Sequence, residues 1–225
     1  MIAIDILACL LAIPPTILLA VFTAEVFAGL RPLPLRPLPS PRSQGPVPST
    51  VVLIPAHDEA AGIAKTIHAL RAMSDPAITL LVVADNCTDD TAERARVAGA
   101  TVVERSDPLR RGKGYALAFG RERLASATPP ACVVILDADC TMAGEGVAGL
   151  ARAVTGTGRA IQARNLQRPD PAAPPTAQIS NFAFLVKNLV RQRGMVRWGG
   201  VAALTGTGMA LPWDQFAAAP LASAD

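Results

Sequence analysis

Aromatic residues are scarce, at 4% of 225 residues with a single Tyr and two Trp. Proteins that hold single-stranded nucleic acid stack bases on aromatic platforms beside a basic groove. Here basic residues do not cluster with aromatics and the net charge is only +3, which excludes nucleic acid as a partner class. Histidine is scarcer still: His57 falls on a loop and His68 on a helix, a separation that argues against a paired metal site. The four cysteines (Cys9, Cys87, Cys132, Cys140) lack metal-ligand spacing and read as reduced thiols. Two phosphate-binding signatures are also missing. No Gly-x4-Gly-Lys-Ser/Thr run occurs, and no Gly-x-Gly-x-x-Gly follows the first strand.

Apolar residues are plentiful, at 51% of the chain, and mean hydropathy is +0.34. Much of the excess lies at the N-terminus, where Ile6 to Ala24 carries no charge. That stretch is long enough to cross a bilayer, which takes about 20 residues. Pro14-Pro15 would kink such a helix without excluding it. A cleaved signal ending at Val26-Phe27-Ala28 is the competing reading, but no Lys or Arg precedes the apolar run and Asp5 has the wrong sign. Arg31, Arg36 and Arg42 follow it, so the positive-inside rule places the remainder in the cytoplasm. The expected organisation is a transmembrane anchor at 1–30 and a proline-rich, polyproline II linker at 31–49. A catalytic domain then follows at 50–225, placed at the inner or plasma membrane.

From Thr50 the chain alternates strand and helix. Apolar runs predict strands at Thr50–Pro55, Ala77–Ala84, Thr101–Glu104 and Ala131–Leu136. Helices are expected around Ile63, Ile67 and Leu70, from a Thr88 cap to Ala98 with Gly99 as stop, and over Lys113–Ala127. This alternation implies an α/β domain with a parallel sheet. Further on, Ala160–Leu166 reads as a strand and Thr176–Arg193 as an amphipathic basic helix. That helix fits either a membrane surface or an ordinary solvated face.

Polar groups sit at three strand ends: Pro55-Ala56-His57-Asp58-Glu59, Asp85-Asn86 and Asp137-Ala138-Asp139. In a parallel sheet these ends share one edge, where open α/β sheets bind ligands. Residues i and i+2 of an extended chain face the same way, so Asp137 and Asp139 emerge together, as a hard divalent cation requires. Arg110-Arg-Gly-Lys113-Gly-Tyr115 opens a helix, where glycines permit close approach and the helix end favours phosphate. Acid, cation and phosphate features on one edge point to a metal-chelated nucleoside diphosphate.

The segments VVLIPAHDEA (51–60), VVADNCTDDTA (82–92), RGKGYAL (111–117), VVILDADC (133–140) and LTGTGMALP (204–212) together resemble the family 2 inverting glycosyltransferases. The resemblance implies a GT-A fold, a Rossmann-like and mostly parallel sheet flanked by helices. It also implies Mg²⁺ or Mn²⁺, a nucleotide-diphosphate sugar donor, and a saccharide or lipid acceptor. By the same resemblance Pro55, Ala56, His57, Glu59 and Asp85 would hold the nucleoside. Lys113 would lie near the base or diphosphate, Asp137 would contact ribose or metal, and Asp139 would be the principal metal ligand. Thr205, Gly206, Thr207 and Gly208 would form the acceptor side. The family's catalytic base lies in an acidic pair beyond the Gly-Thr-Gly segment, so it is expected past Asp225, and the domain is expected to be incomplete at its C-terminus. A donor-binding module and a sugar nucleotidyltransferase are the alternatives. The second is disfavoured because PAHDEAAG offers no Arg or Lys before Lys65.

Overall fold

The computed structural model describes residues 2–31, 45–72, 75–142, 145–168 and 170–222. Most of the 31–49 linker, and Asp225, lie outside them. The described residues divide into two compact units: residues 45–163 with 204–222, and residues 2–31 with 164–203. Residues 164–203, within the expected 50–225 domain, make their contacts mainly with the N-terminal helix.

The first unit is built on a six-stranded sheet of order β3-β2-β1-β4-β6-β5. Its strands are β1 (Thr50–Ala56), β2 (Ile78–Asp85), β3 (Thr101–Arg105), β4 (Cys132–Ile135), β5 (Ile161–Gln162) and β6 (Met209–Pro212). The first four are mutually parallel, as the apolar runs predict, whereas β6 runs antiparallel to β4 and β5 antiparallel to β6. The strand expected over Ala160–Leu166 shrinks to the two residues of β5.

Alternation along β1 explains the layering. Val52, Ile54 and Ala56 pack with α2 (Ile63–Arg71), α3 (Thr91–Val97) and α5 (Gly146–Thr157). Val51 and Leu53 point the other way, toward α4 (Lys113–Ala125) and α8 (Trp213–Ala218). Strands covered on both faces must be apolar throughout, and Val52, Leu53, Ile54, Val82 and Val133 are fully buried. α4 comes so close that a Cβ on Gly120 would lie 2.7 Å from Leu53 Cδ1. The Thr88 cap is not formed: α3 begins at Thr91, and Thr88 turns to Asp58 instead.

In the second unit, α1 spans Ile2–Leu30, and its Cys9–Leu30 stretch is long and apolar enough to cross a membrane, with a mean hydropathy of 2.0. The helix expected over Thr176–Arg193 is present but divided. It consists of α6 (Pro175–Leu185), a π-helical turn at Val186–Val190 and α7 (Arg191–Arg197).

Candidate active site

The C-terminal ends of β1, β2 and β4 open into one cleft of about 380 Å³. It is lined by every residue expected to face a donor: Pro55, Ala56, His57 and Glu59 after β1, Asp85 at the end of β2, and Lys113 at the start of α4. Asp137 and Asp139 line it from just beyond β4. A parallel sheet brings these segments together because equivalent strand ends lie side by side.

The loops after β1 and β2 are laced to each other. Thr88 donates its backbone N–H (2.6 Å) and hydroxyl (3.3 Å) to Asp58 Oδ1. Glu59 N donates to Thr91 Oγ1 at 2.7 Å, and Ala60 N to Asp89 Oδ2 at 3.0 Å. His57 Nδ1 donates to the Asp85 carbonyl at 2.8 Å. Asp58 and Asn86 both adopt positive φ (53°), a strained position that this lacing sustains. The Thr88 hydrogen bonds hold the Asp58 carboxyl below its ordinary value, and the Thr91 hydroxyl does the same for Asp89. His57, Asp58 and Cys87 bring ligand-type atoms within 4.8 Å of one another, and the lacing of these two loops accounts for that grouping.

Asp85 is 5% exposed, so its charge needs a partner. Arg105 supplies it, with Nη1 2.7 Å from Asp85 Oδ1. Arg105 is itself fixed by Asp107 (3.2 Å), by the Arg110 carbonyl (2.8 Å) and by the ring of Tyr115 beneath it (5.6 Å). Asn86 completes the group, donating to Asp85 Oδ1 at 3.1 Å. Asn86 and Arg111, from the polar segments expected at this edge, stand on the cleft wall, whereas Arg105 was not foreseen. The signal for Arg105 was in the register: it ends β3 directly beside Asp85.

Lys113 does not stand free in the cleft. Its Nζ is ion-paired with Asp137 Oδ1 and also donates to the Gly206 carbonyl at 2.6 Å. The 205–208 loop therefore closes onto the same rim without lining the cleft. Asp137 N donates to Thr207 Oγ1 (3.0 Å), and Gln162 clasps the loop by accepting from Thr205 N (2.9 Å) and donating to the Thr207 carbonyl (2.8 Å). Gly206 and Gly208 take φ of 90° and 66°, which only glycine adopts without strain.

Asp137, Asp139 and Cys140 place ligand-type atoms within 4.8 Å of one another. Burial pushes the Cys140 thiol up from its ordinary value, which leaves the two carboxylates as the anionic groups of the cluster before any ion binds. Two carboxylates without a thiolate form an oxygen donor set, which suits a hard cation rather than a thiophilic one.

Comparison with solved structures places this architecture among GT-A folds. Residues 1–225 align over 84% of their length, and over 58% of the other chain, with a mannosyltransferase from Pyrobaculum calidifontis solved with GDP-mannose and Mn²⁺; identity is 20% and the TM-score 0.52. Glucosyl-3-phosphoglycerate synthase from Mycobacterium tuberculosis, solved with UDP, aligns over 82% of this chain and 63% of its own, at 25% identity and a TM-score of 0.50. The chain thus spans about three fifths of the length of the structures it matches. No curated protein matches it significantly. The sequence profile of Glycosyl transferase family 2 matches residues 51–206, and the chain belongs to that family.

Proposed function

We propose that this chain transfers a sugar from a nucleotide-diphosphate donor, chelated by Mg²⁺ or Mn²⁺, to an acceptor hydroxyl of a saccharide or lipid. The reaction would take place at the cytoplasmic side of a membrane in which α1 is the anchor. The observation that carries the reading is the convergence of Asp85, Lys113, Asp137 and Asp139, from three separate β-α units, on one cleft.

Each group has a task that its surroundings suit. Asp85, buried and held in place by Arg105, presents a fixed acceptor for an N–H of the nucleoside base. Pro55, Ala56, His57 and Glu59 form the wall against the nucleoside, and the lacing to the β2 loop keeps that wall rigid. Asp139, exposed at the rim, and Asp137 would hold the cation, which supplies positive charge to the diphosphate leaving group. Lys113 anchors Asp137 and adds a fixed positive charge of its own beside the diphosphate. Arg111 and the α4 N-terminus extend that positive surface. Thr205, Gly206, Thr207 and Gly208 form the acceptor side. Because Gly206 bonds Lys113 and Thr207 bonds Asp137, a shift at the donor would be transmitted to that loop.

The test is product analysis. Incubated with UDP- or GDP-sugars, Mn²⁺ and native membrane lipid, the protein should release nucleoside diphosphate. Release of pyrophosphate from a nucleoside triphosphate and a sugar phosphate would instead identify a nucleotidyltransferase and defeat the proposal.

A further inference from the structure

The sheet unit leaves a different part of the molecule unexplained. α6 contains no charged residue, and none of its eleven residues is buried. Ile179 (68% exposed), Phe182 (66%) and Leu185 (38%) recur at three-residue spacing, which places them along one helix face. A helix with such a face in water would expose hydrocarbon for no return. Beyond it come Lys187, Arg191, Arg193 and Arg197, and no acidic residue occurs between 171 and 213.

The neighbouring element says what covers this face. α7 crosses the C-terminal end of α1 with the backbones touching. A Cβ on Gly29 would lie 1.7 Å from the Val190 carbonyl oxygen, and one on Gly194 would lie 1.8 Å from that of Glu25. Glycine-mediated contact of this kind is how helices pack in lipid. Glu25, the one acid near that end of α1, is neutralised by Arg191 at 2.6 Å, and the Arg191 guanidinium also lies over the Phe22 ring at 5.7 Å. Arg197 donates to the Arg31 carbonyl at 3.1 Å. The basic segment is therefore pinned where the apolar stretch of α1 ends, which is the level of lipid headgroups if α1 spans the bilayer. Trp198, 58% exposed at the end of α7, is the residue type that favours that level.

We infer that residues 175–201 form an interfacial element lying in the headgroup layer of an acidic bilayer. Ile179, Phe182 and Leu185 sit among the upper acyl chains, and Lys187 and Arg193 face lipid phosphates. A second copy of the chain fits this face poorly, because it would bring two acid-free basic segments together. The inference rests on the reading of α1 as a membrane span.

The test uses the full chain reconstituted in phosphatidylcholine vesicles with and without phosphatidylglycerol. The variant Trp198→Phe/Trp213→Phe/Phe182→Trp leaves one tryptophan on the α6 face; Ile179→Trp in place of Phe182→Trp is the second reporter. Brominated acyl chains should quench both reporters, more strongly with phosphatidylglycerol present, and Lys187→Gln/Arg193→Gln should abolish that difference. A chain that resists carbonate extraction while its reporters emit as in water and escape quenching overturns the inference and leaves the anchor standing. Release by carbonate overturns both. Blue-shifted emission that bromine does not quench, with cross-linked dimers, identifies a protein partner and also overturns it.

Discussion

The two units treat apolar residues in opposite ways. In the sheet unit Leu53, Ile54, Val82, Val133 and Phe216 are sealed between helices, and charge stays at the surface and the cleft rim, where Asp85 and Asp137 each have a cationic partner. In the helical unit Leu10, Leu11, Ile17, Leu18 and Phe182 are exposed, while Glu25 is largely covered and paired with Arg191. Water explains the first pattern, and hydrocarbon would explain the second if α1 spans a bilayer as proposed. On that reading the cleft lies in the unit built for water.

That contrast is broken first at its charges. Arg105→Ala strands a buried carboxylate at Asp85 and should cost the sheet unit about 3–5 kcal/mol, with Asp85→Asn/Arg105→Met recovering much of it. Chemical denaturation checks this, and an unchanged midpoint for Arg105→Ala would show Asp85 to be solvated. Gly120→Val drives a side chain into Leu53 and Val83 and should cost about 1–3 kcal/mol. The helical unit should not respond to that change: trypsin cleavage at Arg191, Arg193 and Arg197 should remain at the wild-type rate. Gly194→Leu should do the reverse. It separates α7 from α1, and a local loss of about 1.4 kcal/mol would speed cleavage at those arginines about tenfold. The smallest effect is acid sensitivity at Asp58. Its carboxyl lies below the ordinary value of 3.8 because Thr88 donates to it. The folded value is the lower one, so this contribution is complete above about pH 4 and fades as pH falls through the folded value. Asp58→Asn should flatten that part of the melting-temperature profile in acid.

Much of the site was legible because it is local. Apolar runs ending in Pro55, Asp85 and Leu136 show where β1, β2 and β4 end, and a parallel sheet does the rest. Other elements carry little signal of their own. β5 and β6 have two and four residues, and the pairing of β6 with the β4 edge and of β5 with β6 decides their existence and direction. α5, GVAGLARAVTGT, is too rich in glycine and threonine to announce a helix, yet Val147, Ala151 and Val154 bury one stripe of it. Lys113 lines the cleft, but its bonds to Asp137 and Gly206 are tertiary and leave no trace in spacing. The Thr88 cap failed because a carboxylate thirty residues away, Asp58, offered Thr88 a better-placed acceptor.

The most direct measurement is calorimetric titration of UDP and GDP into the protein with and without Mn²⁺, repeated for Asp139→Asn. Metal-dependent binding that falls at least about a hundredfold in the variant, a loss of about 2.7 kcal/mol, is the predicted result. Equal affinity in both proteins, or binding indifferent to Mn²⁺, would contradict a cation held at the Asp137–Asp139 rim.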